Sequence, residues 1–126
     1  MSYSISVYPI EFQEKTKELN LDFHAVCDFL EKEENLIDFS DAQLEKIVDH
    51  LKYRGFTSKG RTKIPKDFTH KKFRSISVML TKNGLFFNAR GEEVFEISMT
   101  AGEFKYYFGL EGYFAVFDSQ NKGWQI

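Results

Sequence analysis

His24 and Cys27 lie three residues apart in the segment FHAVC, and this spacing places both side chains on one face of a helix. A histidine beside a cysteine can raise the thiolate fraction and so create a nucleophile. Cys27 also falls on an apolar stripe with Phe23 and Leu30, where a cysteine is usually an inert hydrophobe. The pattern therefore favours a structural cysteine over a catalytic one.

Other arrangements that could bind a metal or catalyse a reaction are weaker. His24, His50 and His70 are scattered, and no two of them have the i, i+4 spacing of a helix-borne zinc site. The segment SKGRTK contains one glycine and does not join a strand to a helix, so it is not a phosphate-binding loop. We expect neither a metal nor a cofactor. Acid–base catalysis is not excluded, because any of the 19 Asp and Glu residues can have a shifted pKa. A small enzyme with a pocket under the predicted strands that uses His50, His70 or Cys27 is therefore kept as an alternative.

A basic segment, residues 59–74, is the strongest sign of nucleic-acid binding. Residues 52–74 contain nine Lys and Arg against Asp67 alone, a net charge of +8. Cations beside Phe68 and Phe73 could contact phosphates and stack on bases. Against this, the sequence pI is about 5.9, whereas nucleic-acid-binding domains are usually basic overall. The cations of this basic segment are Lys59, Arg61, Lys63, Lys66, Lys71, Lys72 and Arg74.

An acidic segment, residues 31–45, precedes the basic one. Residues 1–51 contain 12 Asp and Glu against 4 Lys, a net charge of −8. The common interpretation of such a run is a solvated helix face, and the basic segment could neutralise it within the chain. The functional interpretation is a patch that steers and fixes a basic protein partner. Its predicted partner-binding residues are Glu31, Glu33, Glu34, Asp38, Asp41 and Glu45, with Leu36, Ile37 and Phe39 as possible apolar anchors.

The first half of the chain predicts one strand and two main helices. SYSISVY alternates serines with larger residues, as a strand with one buried face does, and Pro9 ends it. Residues 11–20 are polar and fit either a short helix or a loop. A helix is predicted over about 22–33, and a second begins at Ser40, which forms a capping-box pattern with Gln43, and ends at Gly55.

The second half predicts consecutive strands. Residues 57–72 lack a sustained period and predict a surface loop, with a short edge strand near Ile64 or Phe68. Strands are then predicted in SISVML, GLFF, EVFEISM, FKYYFGL and YFAVFD, with a type I′ turn at Asn83-Gly84 and further turns at Arg90-Gly91 and Glu111-Gly112. The predicted fold is α+β: an antiparallel β-meander of about five strands with two main helices packed on one face.

Length and composition indicate one soluble domain, residues 1–126. The 126-residue chain is 42% hydrophobic and contains 14 Phe, enough to build a core in a small domain. A single cysteine excludes an internal disulfide, which favours the cytoplasm. The N-terminus has no signal-peptide pattern, and no apolar run approaches the length of a membrane span.

The overall layout resembles the immunity proteins of bacterial polymorphic-toxin and contact-dependent growth-inhibition systems. The features that carry the resemblance are LEKEENLIDFSDAQLEKIV, the following LKYRGF, and LTKNGLFFNARGEEVFEISMTAGEF. It covers most of the chain but includes no diagnostic motif, so no family residue is carried over. The resemblance implies a non-enzymatic cytoplasmic protein that binds one cognate toxin, often a basic nuclease. Such proteins block the toxin's active site or substrate surface. Separately, the aromatic runs YYF (106–108) and YFAVF (113–117) fit either a homodimer interface or a monomer whose sheet is buried on both faces.

Overall fold

The computed structural model describes residues 2–58, 64–107, 109–118, 120 and 123–124. Within these residues the helices are α1 (Ile10–Glu18), α2 (Phe23–Glu31), α3 (Asp41–Tyr53) and α4 (Val94–Tyr106), with short 3-10 helices at Glu33–Asn35 and Gly91–Glu93. The strands are β1 (Ser2–Pro9), β2 (Phe56–Ser58), β3 (Lys66–His70), β4 (Ser77–Leu80), β5 (Leu85–Arg90), β6 (Phe114–Asp118) and β7 (Gly123–Trp124).

All of these strands join one antiparallel sheet in the order β2-β3-β4-β5-β1-β6-β7. The stretch from β2 to β5 is a meander, in which β4 and β5 coincide with predicted strands and β2 does not. The N-terminal strand β1 then lies between β5 and β6, with Ile5 opposite Phe87 and Val7 opposite Val116. The α+β class and the antiparallel sheet are confirmed, whereas the described residues form more strands and helices than the five and two expected.

The main core lies between one face of the sheet and helices α3 and α4. Alternation along β1 places Ile5 and Val7 on this face, as the sequence pattern predicts. Helix α3 contributes Ile47 and Leu51, and α4 packs over β1, β5 and β6. The buried α4 residues are Ile97, Thr100, Ala101 and Phe104.

A second, smaller core lies on the opposite face, at the β1–β6–β7 end of the sheet. Tyr8 and Phe117 point to this side because each follows an inward residue of the main core by one position. Phe12 of α1 and Val26 of α2 are buried against them, and Trp124 packs alongside. Helices therefore cover both faces of the sheet, which differs from the expected pair on one face.

Helix α3 follows its local sequence signals. The Ser40 side chain accepts a hydrogen bond from the backbone N–H of Gln43, and the Gln43 side chain accepts one from the Ser40 N–H. This is the predicted capping box. The chain leaves the helix through Gly55, whose φ of +90° favours glycine. A Cβ there would lie 2.8 Å from Nε2 of His70, so the close approach of β3 also requires glycine.

The strands predicted in EVFEISM and FKYYFGL are wrong, because these residues form the single helix α4. Apolar side chains lie on two opposite faces of α4. Ile97 points into the core, while Phe95 and Met99 are exposed. An apolar residue at every second position therefore imitates the period of a strand.

The turn predictions also need correction. Neither Asn83 nor Gly84 has a positive φ, so the β4–β5 connection is not a type I′ turn. It is closed by a hydrogen bond from the Thr81 N–H to the Gly84 carbonyl, 2.8 Å. The turn at Glu111-Gly112 leads from α4 into β6 and does not join two strands. Within residues 57–72, the described part consists mainly of the end of β2 and of β3, with residues 59–63 outside the described residues. The strand expected near Phe68 is β3, but it lies between β2 and β4 instead of at the sheet edge.

Candidate functional site

The acidic segment runs through the end of α2, the 3-10 helix Glu33–Asn35, a short link and the first turns of α3. Its geometry places carboxylates on several successive local structures rather than on one helix face. The described carboxylates are all exposed, and the side chain of Glu33 lies outside the described part of the structure. The exposed set is Glu31, Glu34, Asp38, Asp41 and Glu45.

No cation of the described residues lies within 4.0 Å of these carboxylates. The ion pairs that the described chain does form join His50 and Arg54 to Glu96 and Glu103, elsewhere on the molecule. Asp41 has an additional structural role, because it lies in the first turn of α3 at the positive end of the helix dipole. The acidic segment thus presents a concentrated negative charge to solvent.

Apolar residues of the acidic segment fix its backbone. Phe39 is buried in the main core, with its ring centroid 6.0 Å from that of Phe114. Leu36 and Ile37 are partly buried against the second core. The Phe39 N–H also donates to the Lys82 carbonyl, 2.8 Å. The three apolar residues are therefore mainly packing residues, and they hold the carboxylates in place.

The described part of the basic segment lies on β3 and in the turn after it. Lys71, Lys72 and Arg74 are exposed and Lys66 is half-buried, while Lys59, Arg61 and Lys63 lie outside the described residues. Phe68 is buried in the main core and cannot stack on a base. Phe73 is half-buried, and Nζ of Lys72 lies 5.4 Å from its ring centroid. The described cations form no ion pair with the acidic segment, so they give no support to neutralisation within the chain.

Cys27 and His24 do not form a nucleophile with its base. His24 is exposed, whereas Cys27 is half-buried and packs against the second core. Burial raises the pKa of the Cys27 thiol, and the charges of Asp28 and Glu31 raise it further. A nucleophilic cysteine needs a lowered pKa. These observations agree with a structural role for Cys27.

A cluster of charged side chains joins α3 to α4, and sequence reasoning did not identify it. Nε2 of His50 lies 3.1 Å from Oε1 of Glu103. Arg54 donates to the same carboxylate from Nε, at 2.6 Å, and from Nη2. Nη1 of Arg54 lies 3.8 Å from Oε1 of Glu96. The pairing depends on α4 being a helix packed beside α3, which the strand prediction for residues 93–99 excluded.

His50 lies at the floor of an open depression of about 250 Å³. Burial lowers the pKa of His50, although Glu103 opposes this and Arg54 adds to it. The residues around the depression include no Ser, Thr or Cys that could act as a nucleophile. They are Lys46, Asp49, His50, Tyr53, Tyr107, Gly109 and Leu110. Of the residues named for the small-enzyme alternative, His50 is the one that lines this depression.

The lowered pKa of His50 predicts a pH dependence of stability. Below about pH 6.5, the ordinary histidine pKa, His50 is mostly protonated in the unfolded chain. In the folded chain its lowered pKa keeps it mostly neutral, so protonation favours unfolding. The free energy of unfolding should therefore fall as the pH decreases from about 7 to about 5. His50→Gln should flatten this part of the profile, while His24→Gln, at an exposed histidine, should not. Urea unfolding across this range measures it, and equal slopes in all three proteins would contradict the assignment.

An aromatic surface lies beside the His50 depression, and only its Tyr106 and Tyr107 stand out in the sequence, as part of the aromatic run YYF. It consists of Tyr53, Phe95, Met99, Tyr106 and Tyr107, all exposed. The Tyr107 hydroxyl lies 3.3 Å from that of Tyr53, which links α3 to the end of α4. Exposed aromatic and Met side chains are typical of surfaces that bind other proteins.

The face of the sheet opposite the main core is uncovered near β3, β4 and β5. A groove of about 380 Å³ runs across it, between polar side chains of β1 and β5 and the exposed side chains of Met79 and Phe86. Asn88 donates to the Ser4 hydroxyl at 2.9 Å, so part of this polar lining is already satisfied within the chain. The serines of β1 face solvent as their alternation predicts.

Among the described residues, no group of three His, Cys, Asp or Glu is placed to hold a metal ion. None of the helices in the described ranges combines the length and apolar character needed to cross a lipid bilayer. No family model, curated protein or solved structure matches the chain.

Proposed function

We propose that the chain is a non-enzymatic protein-binding domain whose acidic segment binds a basic surface of a protein partner. The observation that carries this proposal is the set of five exposed carboxylates between Glu31 and Glu45, none with a described cation within 4.0 Å. An isolated surface carboxylate contributes little to binding. Several with the same sign raise the local potential, and this accelerates the encounter with a basic partner.

The fixed backbone of the acidic segment supports the same proposal. Phe39 anchors the middle of the segment in the main core, and the capping box at Ser40 holds the start of α3. Nε2 of Gln43 donates to the Tyr113 carbonyl at 2.8 Å and so ties this end of α3 to the chain before β6. A partner would therefore meet a largely preformed surface, which reduces the ordering cost of association.

In its specific form, the proposal is a cytoplasmic immunity protein that neutralises a cognate toxin. A nuclease uses lysines and arginines to hold phosphates, so a basic substrate surface is the natural complement of the acidic segment. Occupying that surface would exclude the substrate without any chemical reaction. The small α+β layout and the acidic segment support this form of the proposal.

Affinity capture from the native cell, with nuclease-treated and untreated lysates side by side, identifies the partner. We expect one protein with a basic surface to be retained in both lysates and at moderate salt. Its expression alone should arrest growth, and co-expression with this chain should restore growth. Capture that disappears after nuclease treatment, or a captured protein without toxicity, would contradict the immunity function.

The second candidate is a nucleic-acid-binding accessory domain that uses the basic segment. The exposure of Lys71, Lys72 and Arg74 favours it, because none of them has a described carboxylate within 4.0 Å. The burial of Phe68 removes one of its two stacking platforms. Binding to single-stranded RNA or DNA that weakens steeply with salt would support this candidate. No gel shift at low salt would exclude it.

A further inference from the structure

Helix α4 carries a second apolar stripe opposite the one that it buries. Ile97, Ala101 and Phe104 point into the main core. The opposite stripe contains Phe95, Met99, Gly102 and Tyr106, at successive spacings of four, three and four residues. This is the alternation of apolar positions along the contact line of two packed helices. Phe95 is 70% exposed, Tyr106 56% and Met99 40%, so no part of the described chain covers the stripe.

Gly102 is difficult to explain within a single chain. It lies in the interior of α4, where glycine is less favourable than alanine. A Cβ at this position would have no atom within 4 Å, so no neighbour in the chain requires its absence. A small residue at the centre of an apolar stripe permits close approach of another helix.

We propose that two copies of the chain associate through α4, with the two helices antiparallel. In one register, Met99 of each copy faces Gly102 of the other, and Phe95 of each faces Tyr106 of the other. Both pairs are centred on the same point of the helix, between Thr100 and Ala101, as a two-fold axis requires. The large Met99 side chain then enters the space left by glycine, so the stripe is complementary to itself.

The end-to-end polarity of α4 suits the antiparallel arrangement. Glu92 and Glu96 lie at or before its first turn, and Lys105 lies in its last turn. In an antiparallel pair the acidic start of each helix is level with the basic end of the other, and the helix dipoles oppose each other. Lys105 and Glu96 themselves lie on opposite flanks of the stripe, Lys105 toward Gln13 and Glu96 toward Arg54, so they do not pair. The four residues of the stripe are all uncharged. The nearby carboxylates of Glu96 and Glu103 are held by Arg54 on the α3 side.

The area available is that of a weak, reversible dimer. With Tyr53, 69% exposed, and Tyr107, 39% exposed, beside the stripe, the aromatic surface offers five large side chains. At about 200 Å² for each fully exposed side chain, one copy offers about 550 Å² and two copies about 1,100 Å². Specific interfaces bury about 1,200–2,000 Å², and weak ones less. An interface of this size belongs with the weak, transient ones, so we expect association in the micromolar to sub-millimolar range.

Sedimentation velocity over a concentration series tests the proposal. The wild-type protein should shift from monomer to dimer between about 1 and 300 µM, given this affinity. Met99→Glu, which places a charge in the stripe, should weaken the dimer at least tenfold. Met79→Glu is the matched control, because Met79 is similarly exposed but lies on the uncovered sheet face, and it should dimerise like the wild type. Wild-type protein that stays monomeric throughout, or an unaffected Met99→Glu dimer, would overturn the proposal.

Gly102→Gln separates association from folding, because the expected effects have opposite signs. Glutamine favours the helix, so the thermal midpoint of dilute monomer should rise by about 2–4 °C. The larger side chain should weaken the dimer at least tenfold, since it fills the space that Met99 of the other copy needs. A variant that is more stable and dimerises as well as the wild type would contradict the close approach at Gly102.

Disulfide trapping tests the register. In a Cys27→Ala background, Met99→Cys combined with Gly102→Cys should form covalent dimers under mild oxidation. Neither substitution alone should do so, because each position faces the other across the two-fold axis. Efficient trapping by a single substitution would show a different register and overturn the antiparallel arrangement.

Discussion

Reversing the charge at Glu31, Glu34 and Asp38 to lysine should slow association with the basic partner by about 10- to 10³-fold. The three carboxylates are exposed, and each lies on a different local structure of the acidic segment. Converting them to lysine changes an attractive potential into a repulsive one toward the same partner surface. The fold should be preserved, because surface substitutions usually change stability by less than about 0.5 kcal/mol.

A matched variant separates local charge from net charge. Glu14→Lys, Glu18→Lys and Glu92→Lys change the net charge by the same amount at exposed positions outside the acidic segment. Surface plasmon resonance at several salt concentrations gives the association rate constants. The wild-type rate should fall with salt, while the control variant should remain close to wild type. Equal rates in the reversed and control variants would remove the acidic segment from the interface.

Replacing Phe104 by alanine should lower the free energy of unfolding by about 3–5 kcal/mol. Phe104 is fully buried on α4, and its ring centroid lies 4.8 Å from that of His50, 5.3 Å from Phe114 and 6.4 Å from Phe87. It therefore joins α3 and α4 to the central strands, and its removal leaves a cavity between three elements. A loss of this size is a large part of the roughly 5–15 kcal/mol typical of a domain.

Phe95→Ala is the control on the same helix. Phe95 is exposed, so its truncation should change the free energy of unfolding by less than about 0.5 kcal/mol. Urea unfolding at about 1 µM keeps the protein below the concentration at which we expect dimers. If residues 93–99 formed the strand that their alternation suggests, Phe95 would be an inward residue and its truncation would be costly. Similar losses for Phe95→Ala and Phe104→Ala would contradict the orientation of α4.

The parts of the fold that local chemistry determines could be predicted from the sequence. The capping box at Ser40, the glycine at position 55 and the serine alternation of β1 each act through neighbouring residues, and each appears in the structure. The neighbours of β1 could not be predicted in this way. The insertion of β1 between β5 and β6 depends on pairing between residues far apart in the chain.

Helix α4 shows that apolar residues at every second position do not always indicate a strand. Its buried stripe, with Ile97 and Phe104, and its exposed stripe, with Phe95 and Met99, together give the alternation of a strand. Only the packing of α4 against the sheet distinguishes the two stripes. The pairing of His50 and Arg54 with Glu103 could not be predicted either, because it requires Glu103 to lie on a helix beside α3.

In the candidate site too, local features could be predicted and features that depend on tertiary packing could not. Exposure of the acidic segment could be predicted, because carboxylates between two capped helices rarely find buried positions. The structural roles of Leu36, Ile37 and Phe39 could not, since they depend on which face of the sheet each helix covers. The burial of Phe68, which removes it as a stacking platform, likewise depends on the position of β3 in the sheet.

The most direct test of the central claim is affinity capture from nuclease-treated lysate of the native cell with three baits in parallel. The baits are the wild-type chain, the variant reversed at Glu31, Glu34 and Asp38, and the control reversed at Glu14, Glu18 and Glu92. Binding through the acidic segment predicts that the wild type and the control retain the same basic protein, while the first variant loses it. Equal retention of that protein by all three baits would contradict the account.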